Sequence, residues 1–254
     1  MLSVHPSGTV NSMKRISLDT TASTNEYARR LTGDAGSELT LITAEYQEVG
    51  RGAGTNSWES ERGKNLLFSM ILHPSDVLAS QQFILSMANA LALRDALADY
   101  VDDVKIKWPN DIYWKDSKIC GTLIETTLKG NHISDCIIGT GFNVNQRVFR
   151  SDAPNPVSLF QILGHEVECK EVLEKVLANM SKYMELVKNG DWEKIRDSYR
   201  HHLYRLEEMH YFRFGDGTEK YCKLVNVTDD GHLELLHDNR EIYRLAFKEV
   251  QFII

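Results

Sequence analysis

Lys107-Trp108-Pro109-Asn110-Asp111 with Lys118 close behind, and Gly50-Arg51-Gly52-Ala53-Gly54 earlier in the chain, are the residues best equipped for chemistry. Lysine is a compact point charge and arginine a forked one, and both suit phosphate and carboxylate oxygens. Lys118 and Arg51 can therefore offset charge that develops at a transferring phosphoryl group. A hairpin with a solvated lysine is the plainer account of the same residues. Asp111, displayed by an X-Pro turn, can orient or deprotonate an incoming amine, or serve the turn alone. The glycines at 50, 52 and 54 can aim backbone N–H groups at an anion beside Arg51, or make no more than a flexible turn. The loop is neither G-x-x-x-x-G-K-[ST] nor G-x-G-x-x-G, because Thr55 stands where the last glycine would be.

Ser23-Thr24-Asn25 and Gln47 offer a different chemistry. Neighbouring donors and acceptors of this kind can recognise a ureido or amide group in a mostly apolar pocket. The spacing of Ser23 and Glu26 is also that of a capping box, so taken alone a helix cap is the simpler account. Nine histidines invite a metal search, but there is no H-E-x-x-H, and His201-His202 are adjacent, so they diverge on a helix. No protein-held metal is expected. Without G-x-S-x-G or a Cys/His pairing, a covalent hydrolase has little support.

These residues must be carried by a substantial fold, and 254 residues with 42% hydrophobic content allow one large domain or a main domain plus a small one. A short helix follows Ser23. Strands are expected over 40–46 and 66–72, on either side of the glycine loop. Residues 81–100 place Phe83, Ile84, Met87, Ala90, Leu91, Leu97 and Tyr100 on one broad face, the pattern of a helix packed on a sheet. Strands over 104–107, 112–114, 119–128 and 133–140 form a meander, with the Lys107–Asp111 chemistry at a turn. Helices follow over 170–187 and 191–200, the second capped by Asp191. The pattern then changes to five short strands separated by turns at 215–217, 229–231 and 237–239. The reading is an α+β domain over 1–205 and a small barrel over 206–254.

Thirty-six acidic against 29 basic residues leave a net charge of −7, which opposes non-specific binding to nucleic acid. Residues 1–8 lack a basic flank followed by an apolar run, and no stretch approaches a membrane span. The four cysteines, at 120, 136, 169 and 222, form no C-x-x-C pair, which points to a reducing cytoplasm.

Taken together, Ser23-Thr24-Asn25, Glu45-Tyr46-Gln47 before Gly50-Arg51-Gly52, Lys107-Trp108-Pro109-Asn110-Asp111, Lys118 with Gly121, and Gly139-Thr140-Gly141-Phe142-Asn143-Val144-Asn145 resemble the biotin–protein ligases in identity, order and spacing. Ala246-Phe247-Lys248-Glu249-Val250 is similar to part of that family's small carboxy-terminal domain. The resemblance implies a mixed, largely antiparallel sheet flanked by helices and followed by an SH3-like β-barrel. It implies that biotin attacks ATP to give biotinyl-5′-adenylate and pyrophosphate, and that a lysine of a biotin carboxyl carrier domain then takes the biotinyl group. By the same analogy Ser23, Thr24, Asn25 and Gln47 hold the biotin head group, and Arg51, Gly52 and Ala53 belong to the loop that closes over biotin and adenylate. Lys118 faces the carboxylate and α-phosphate, Gly121 offers backbone contact, and Asn143 lies near the nucleotide. Mg2+ is expected to enter through the substrate phosphates.

Two departures follow. After Gly50-Arg51-Gly52 this chain has Ala53, Gly54, Thr55, Asn56 and Ser57, where many relatives carry further basic residues, so the adenylate is expected to escape faster. About twenty residues precede Ser23, which leaves no room for the winged helix-turn-helix of the biotin-operon repressors, so a ligase without operator binding is expected. A lipoate or octanoate ligase or transferase is the neighbouring enzyme reading, and a biotin-sensing module without catalysis the non-enzymatic one. A homodimer is compatible with the sequence and has no signature in it.

Overall fold

The computed structural model describes residues 13–33, 39–54 and 56–254, so residues 1–8 and Thr55, both read above, lie outside the described residues. A strand not expected from the sequence, β1 (Lys14–Thr21), leads into α1 (Thr24–Arg29) and β2 (Thr40–Gln47). β3 (Leu66–Leu72), a 3₁₀ turn at Ala79–Gln81 and α2 (Phe83–Ala98) follow. The meander then comprises β4 (Val104–Lys107), β5 (Asp111–Trp114), β6 (Ser117–Lys129) and β7 (His132–Phe142). These strands form one sheet in the order β1-β2-β3-β7-β6-β5-β4. β1 and β2 are parallel and the other pairs antiparallel, as expected of a mixed, largely antiparallel sheet.

Every residue of β3 is buried because both faces of the sheet are covered there. On one face Ala28 of α1 packs with Ile42, Ile71 and Ile137; on the other, α2 supplies Leu85, Leu91 and Leu93 to the main core. α2 departs from expectation. Its buried residues run all round its circumference, not along one face, because α4 (Cys169–Lys188) and α5 (Trp192–His201) pack on the side away from the sheet. Its alanines at 88, 90, 92 and 96 let those neighbours approach closely.

The short α3 (Leu159–Leu163), also unexpected, opens with a complete capping box between Ser158 and Gln161 and ends on Gly164 at φ 78°. Asp191 stands at the N-cap position of α5, but its side chain makes no capping bond. Its Oδ2 accepts from Lys194 Nζ at 3.0 Å instead, so the expected cap is replaced by a local ion pair.

The remaining strands are β8 (Met209–Phe214), β9 (Glu219–Val227), β10 (Leu233–His237), β11 (Ile242–Leu245) and β12 (Val250–Phe252). They form an antiparallel five-stranded sheet in the order β11-β10-β9-β8-β12, consistent with a small SH3-like domain. Phe212, Leu224, Leu233 and Leu235 of this sheet join the same apolar core as α2 and α5. Among the described residues no helix is long and apolar enough to cross a membrane.

Candidate active site

A cleft of about 790 Å³, including its open mouth, gathers Ser23, Thr24, Asn25, Gln47, Arg51, Gly52, Ala53, Asp111, Lys118 and Gly121. Asn143 is not among its lining residues. It is 2% exposed at the end of β7, with its side-chain oxygen unpartnered and its backbone tied to Ile119 and Leu159.

The floor of the cleft is a hydrogen-bonded polar set. Ser23 is extended at the N-cap position of α1, but its side chain makes no capping bond, so the capping box is not realised. Glu26 pairs with Arg30 at 2.6 Å instead of reaching back. The first-turn amide is served from β2: Gln47 Oε1 accepts from the Thr24 N–H at 2.7 Å and from the Thr24 hydroxyl at 3.0 Å. Ser69 of β3 lies 2.8 Å from Thr24 Oγ1 and 2.6 Å from Asn25 Oδ1. Asn25 Nδ2 donates to Leu123 O at 3.2 Å and to Glu125 Oε2 at 3.0 Å. Thr24, Asn25 and Ser69 are all buried, so these bonds fix which side-chain atoms remain for a ligand.

Ser69 was not picked out from the sequence. Its signal is a single polar residue inside the otherwise apolar run Leu66–Leu72.

Glycines shape the wall. A Cβ on Gly139 would lie 1.8 Å from Asn25 Oδ1, and one on Gly141 would lie 2.2 Å from Trp58 Cε2. Gly121 is equally tight, at 2.8 Å from Trp58 Cζ3. The absent side chains let the Trp58 ring lie against β6 and β7, with Lys118 Nζ 5.7 Å from its centroid. Trp58, another residue not singled out beforehand, roofs the cleft, and its buried Nε1 and the Thr140 hydroxyl have no hydrogen-bond partner among the described residues.

Lys118 Nζ donates to Asp111 Oδ2 at 2.7 Å, both side chains being part-buried. The turn carrying Asp111 is fixed from three sides. Tyr199 of α5 donates to Pro109 O at 2.7 Å, and Trp108 Nε1 donates to Gly231 O at 2.9 Å. Phe247 meets the Trp108 ring edge-on at 6.0 Å. The Trp108–Pro109 peptide is cis. Lys107, level with Asp111 across the β4–β5 hairpin, lies over Tyr113 and Phe252, and burial pulls its ammonium below the usual lysine value despite the Asp111 carboxylate nearby.

The glycine loop closes on itself as a small hairpin. Trp58 N donates to Gly50 O at 2.9 Å and Gly52 N to Asn56 O at 2.7 Å, so the Gly52 amide is spent within the loop and does not join an anion cradle. Arg51 is exposed at the cleft, and among the described residues no carboxylate is paired with it. No cluster of three His, Cys, Asp or Glu side chains that could hold a metal occurs among the described residues. All four cysteines are free.

The chain has known relatives. The family model described as "Biotin/lipoate A/B protein ligase family" matches residues 17–143. The chain is 30% identical over 224 residues to a biotin–[acetyl-CoA-carboxylase] ligase of Paracoccus denitrificans, covering 85% of this chain and 91% of that one. It is 30% identical over 239 residues to the bifunctional ligase/repressor BirA of Bacillus spizizenii, covering 92% of this chain and 72% of the relative. Among solved structures it is similar to the biotin protein ligase from Aquifex aeolicus in complex with biotin and ATP. That match has a TM-score of 0.78 and 27% identity, and covers 94% of this chain and 99% of the other.

Proposed function

The chain belongs to the biotin/lipoate A/B protein ligase family, and on that premise we propose that it is an ATP-dependent biotin–protein ligase. One observation carries the reading: the polar floor of Thr24, Asn25 and Gln47, backed by Ser69, shares a cleft with Arg51 and Lys118. The ureido head of biotin presents a carbonyl acceptor and N–H donors, which suit such a floor under an aromatic roof. The dithiolane of lipoate and the alkyl chain of octanoate offer it nothing to bond.

In the first step a biotin carboxylate oxygen forms a bond to the α-phosphorus of ATP while the bond to the β-phosphate oxygen breaks, giving biotinyl-5′-adenylate and pyrophosphate. Two anions must meet, so Lys118 and Arg51 lower the barrier by offsetting their repulsion and the charge that builds on the phosphoryl oxygens. Gly52 and Ala53 hold the loop at the cleft mouth, Gly121 admits close backbone approach, and Ser23 adds a hydroxyl to the head-group site. Asn143, which does not line the cleft, is assigned to the nucleotide on the family resemblance alone. In the second step a carrier lysine amine attacks the acyl carbon, AMP leaves, and the amine gives up a proton that Asp111 is placed to receive.

Mg2+ would enter bound to the triphosphate, since Asp111 is the sole carboxylate among the described lining residues and is engaged by Lys118. The partner is a biotin carboxyl carrier domain, the compartment the cytoplasm in keeping with four free cysteines, and nucleic acid is not a ligand of a chain with net charge −7. The division at 205/206 separates a catalytic unit from the barrel, although Phe247 of the barrel also lines the cleft. Biotin-dependent ATP–pyrophosphate exchange, run beside lipoate and octanoate, tests the reading. Exchange with biotin alone is expected; exchange with lipoate alone would move the chain to the lipoate branch, and tight biotin binding without exchange would make it a sensor.

A further inference from the structure

Lys248 sits in the turn between β11 and β12 of the barrel, yet its side chain reaches the glycine loop of the other sheet. A Cβ placed on Gly54 would lie 2.6 Å from Lys248 Nζ and 3.3 Å from its Cε, so the lysine head fills the space that the glycine leaves open. The neighbouring residue Phe247 lines the cleft, while Lys248 itself lies outside the lining, against Gly54 of the loop whose Arg51, Gly52 and Ala53 do line it. Lys248 has φ 76°, in the left-handed region where glycine is at ease and a lysine is not.

No carboxylate among the described residues pairs with Lys248. The adjacent Glu249 is committed elsewhere, its Oε2 accepting from Ala246 N at 2.8 Å. The turn is also clamped by Glu249 N donating to Ala246 O at 3.0 Å and by Gly215 N donating to Glu249 O at 2.8 Å, so it is held in place. Meanwhile Arg51 is the only basic residue between Gly50 and Trp58, and Lys118 is already bonded to Asp111. A cleft that must hold a triphosphate beside a carboxylate is short of cations on its main-sheet side.

We propose that Lys248 is a nucleotide-binding residue, a third cation delivered by the barrel across the Gly50–Gly54 loop to the phosphate oxygens of ATP. It offsets the loop's own shortage of charge and ties loop and barrel together while the adenylate is present. This rests on the ligase reading of the cleft. Lysine suits the task as a point charge with three donors on a flexible stem.

The test uses the full chain and the variants Lys248→Gly and Lys248→Arg, with MgATP and biotin titrated separately and thermal melting as the fold control. Glycine relieves the left-handed backbone, so Lys248→Gly should melt no lower than wild type and bind biotin unchanged. Its ATP affinity should fall about ten-fold, the size of one exposed charge-assisted bond, and Lys248→Arg should restore most of it. In the exchange assay the loss should appear in KM for ATP more than in kcat. ATP affinity of Lys248→Gly within two-fold of wild type would overturn the proposal and leave the ligase reading intact. A wild type that binds ATP through Lys248 but never exchanges pyrophosphate in the presence of biotin would uphold the lysine and remove the ligase reading. A wild type that binds no ATP would end both.

Discussion

Gln47 Oε1 accepts hydrogen bonds from both the backbone N–H and the hydroxyl of Thr24, so the end of β2 caps the start of α1 from outside the helix. This couples the polar floor of the cleft to the fold. Gln47→Ala would leave a buried amide without a partner and should cost about 1–3 kcal/mol of stability. Biotin affinity should fall in the same variant, because Thr24 loses the acceptor that orients its hydroxyl. Urea unfolding beside biotin titration checks both, and unchanged biotin affinity would remove Gln47 from the head-group site.

Lys118 and Asp111 should separate the two half-reactions. Lys118→Ala should lower pyrophosphate exchange about 10²–10³-fold, the usual loss when a preorganised charge leaves a reacting centre. Asp111→Asn keeps the turn and removes the negative charge. It should hold exchange within about ten-fold of wild type while slowing transfer to the carrier by a larger factor, since a positioned base is commonly worth about 10²–10⁴. Equal losses in both steps would assign Asp111 to the turn alone.

Gly141→Ala puts a methyl group into the Trp58 ring, where the clearance is 2.2 Å. The ring must lift from the sheet, and overpacking of this kind costs about 1–3 kcal/mol. The roof should then open, so that labelled biotinyl-5′-adenylate is chased out faster than from wild type. Retention equal to wild type would show that Trp58 does not close the cleft.

Glu59, next to Trp58 in sequence, gives the loop a pH dependence. Burial raises its carboxyl, but hydrogen bonds from Ser151, Arg150 and Gln146 outweigh that and hold it below the ordinary glutamate value of 4.5. The folded value lies below the unfolded one, so this stabilisation is fully present above about pH 4.5 and is lost as pH falls through the lower, folded value. Glu59→Gln should therefore be less stable than wild type at pH 7, and the gap should shrink on acidification. Unfolding curves at several pH values check this, and a gap that does not vary with pH would contradict it.

The sheet meander and the five barrel strands were legible because alternation and turn residues mark them, as in Val104–Lys107 and at Asp229-Asp230-Gly231. β1 was not, since a half-exposed parallel edge strand such as Lys14–Thr21 has few apolar residues to show a period. α2 reads as amphipathic when only Phe83, Ile84, Met87, Ala90, Leu91, Leu97 and Tyr100 are counted, whereas Leu85, Ala88, Ala92, Leu93 and Ala96 are buried as well and close the rest of its circumference. In the site, residue types with charge were easy to name. Ser69, Trp58 and Lys248 were not named as site residues, because each is brought to the cleft or to a segment beside it by pairings far apart in sequence: Ser69 behind Asn25, Trp58 against Gly141, Lys248 against Gly54. The capping box at Ser23 is not formed, because Ser23 makes no side-chain cap bond and Glu26 turns to Arg30 instead of reaching back.

Transfer itself tests the central claim most directly. The purified chain would be incubated with biotin, ATP, Mg2+ and an apo biotin carrier domain, and the carrier followed by intact-mass measurement. The account predicts a gain of one biotinyl group on the carrier, abolished by omitting ATP or by Lys118→Ala. A carrier left unmodified by a folded enzyme that binds both biotin and ATP would contradict it.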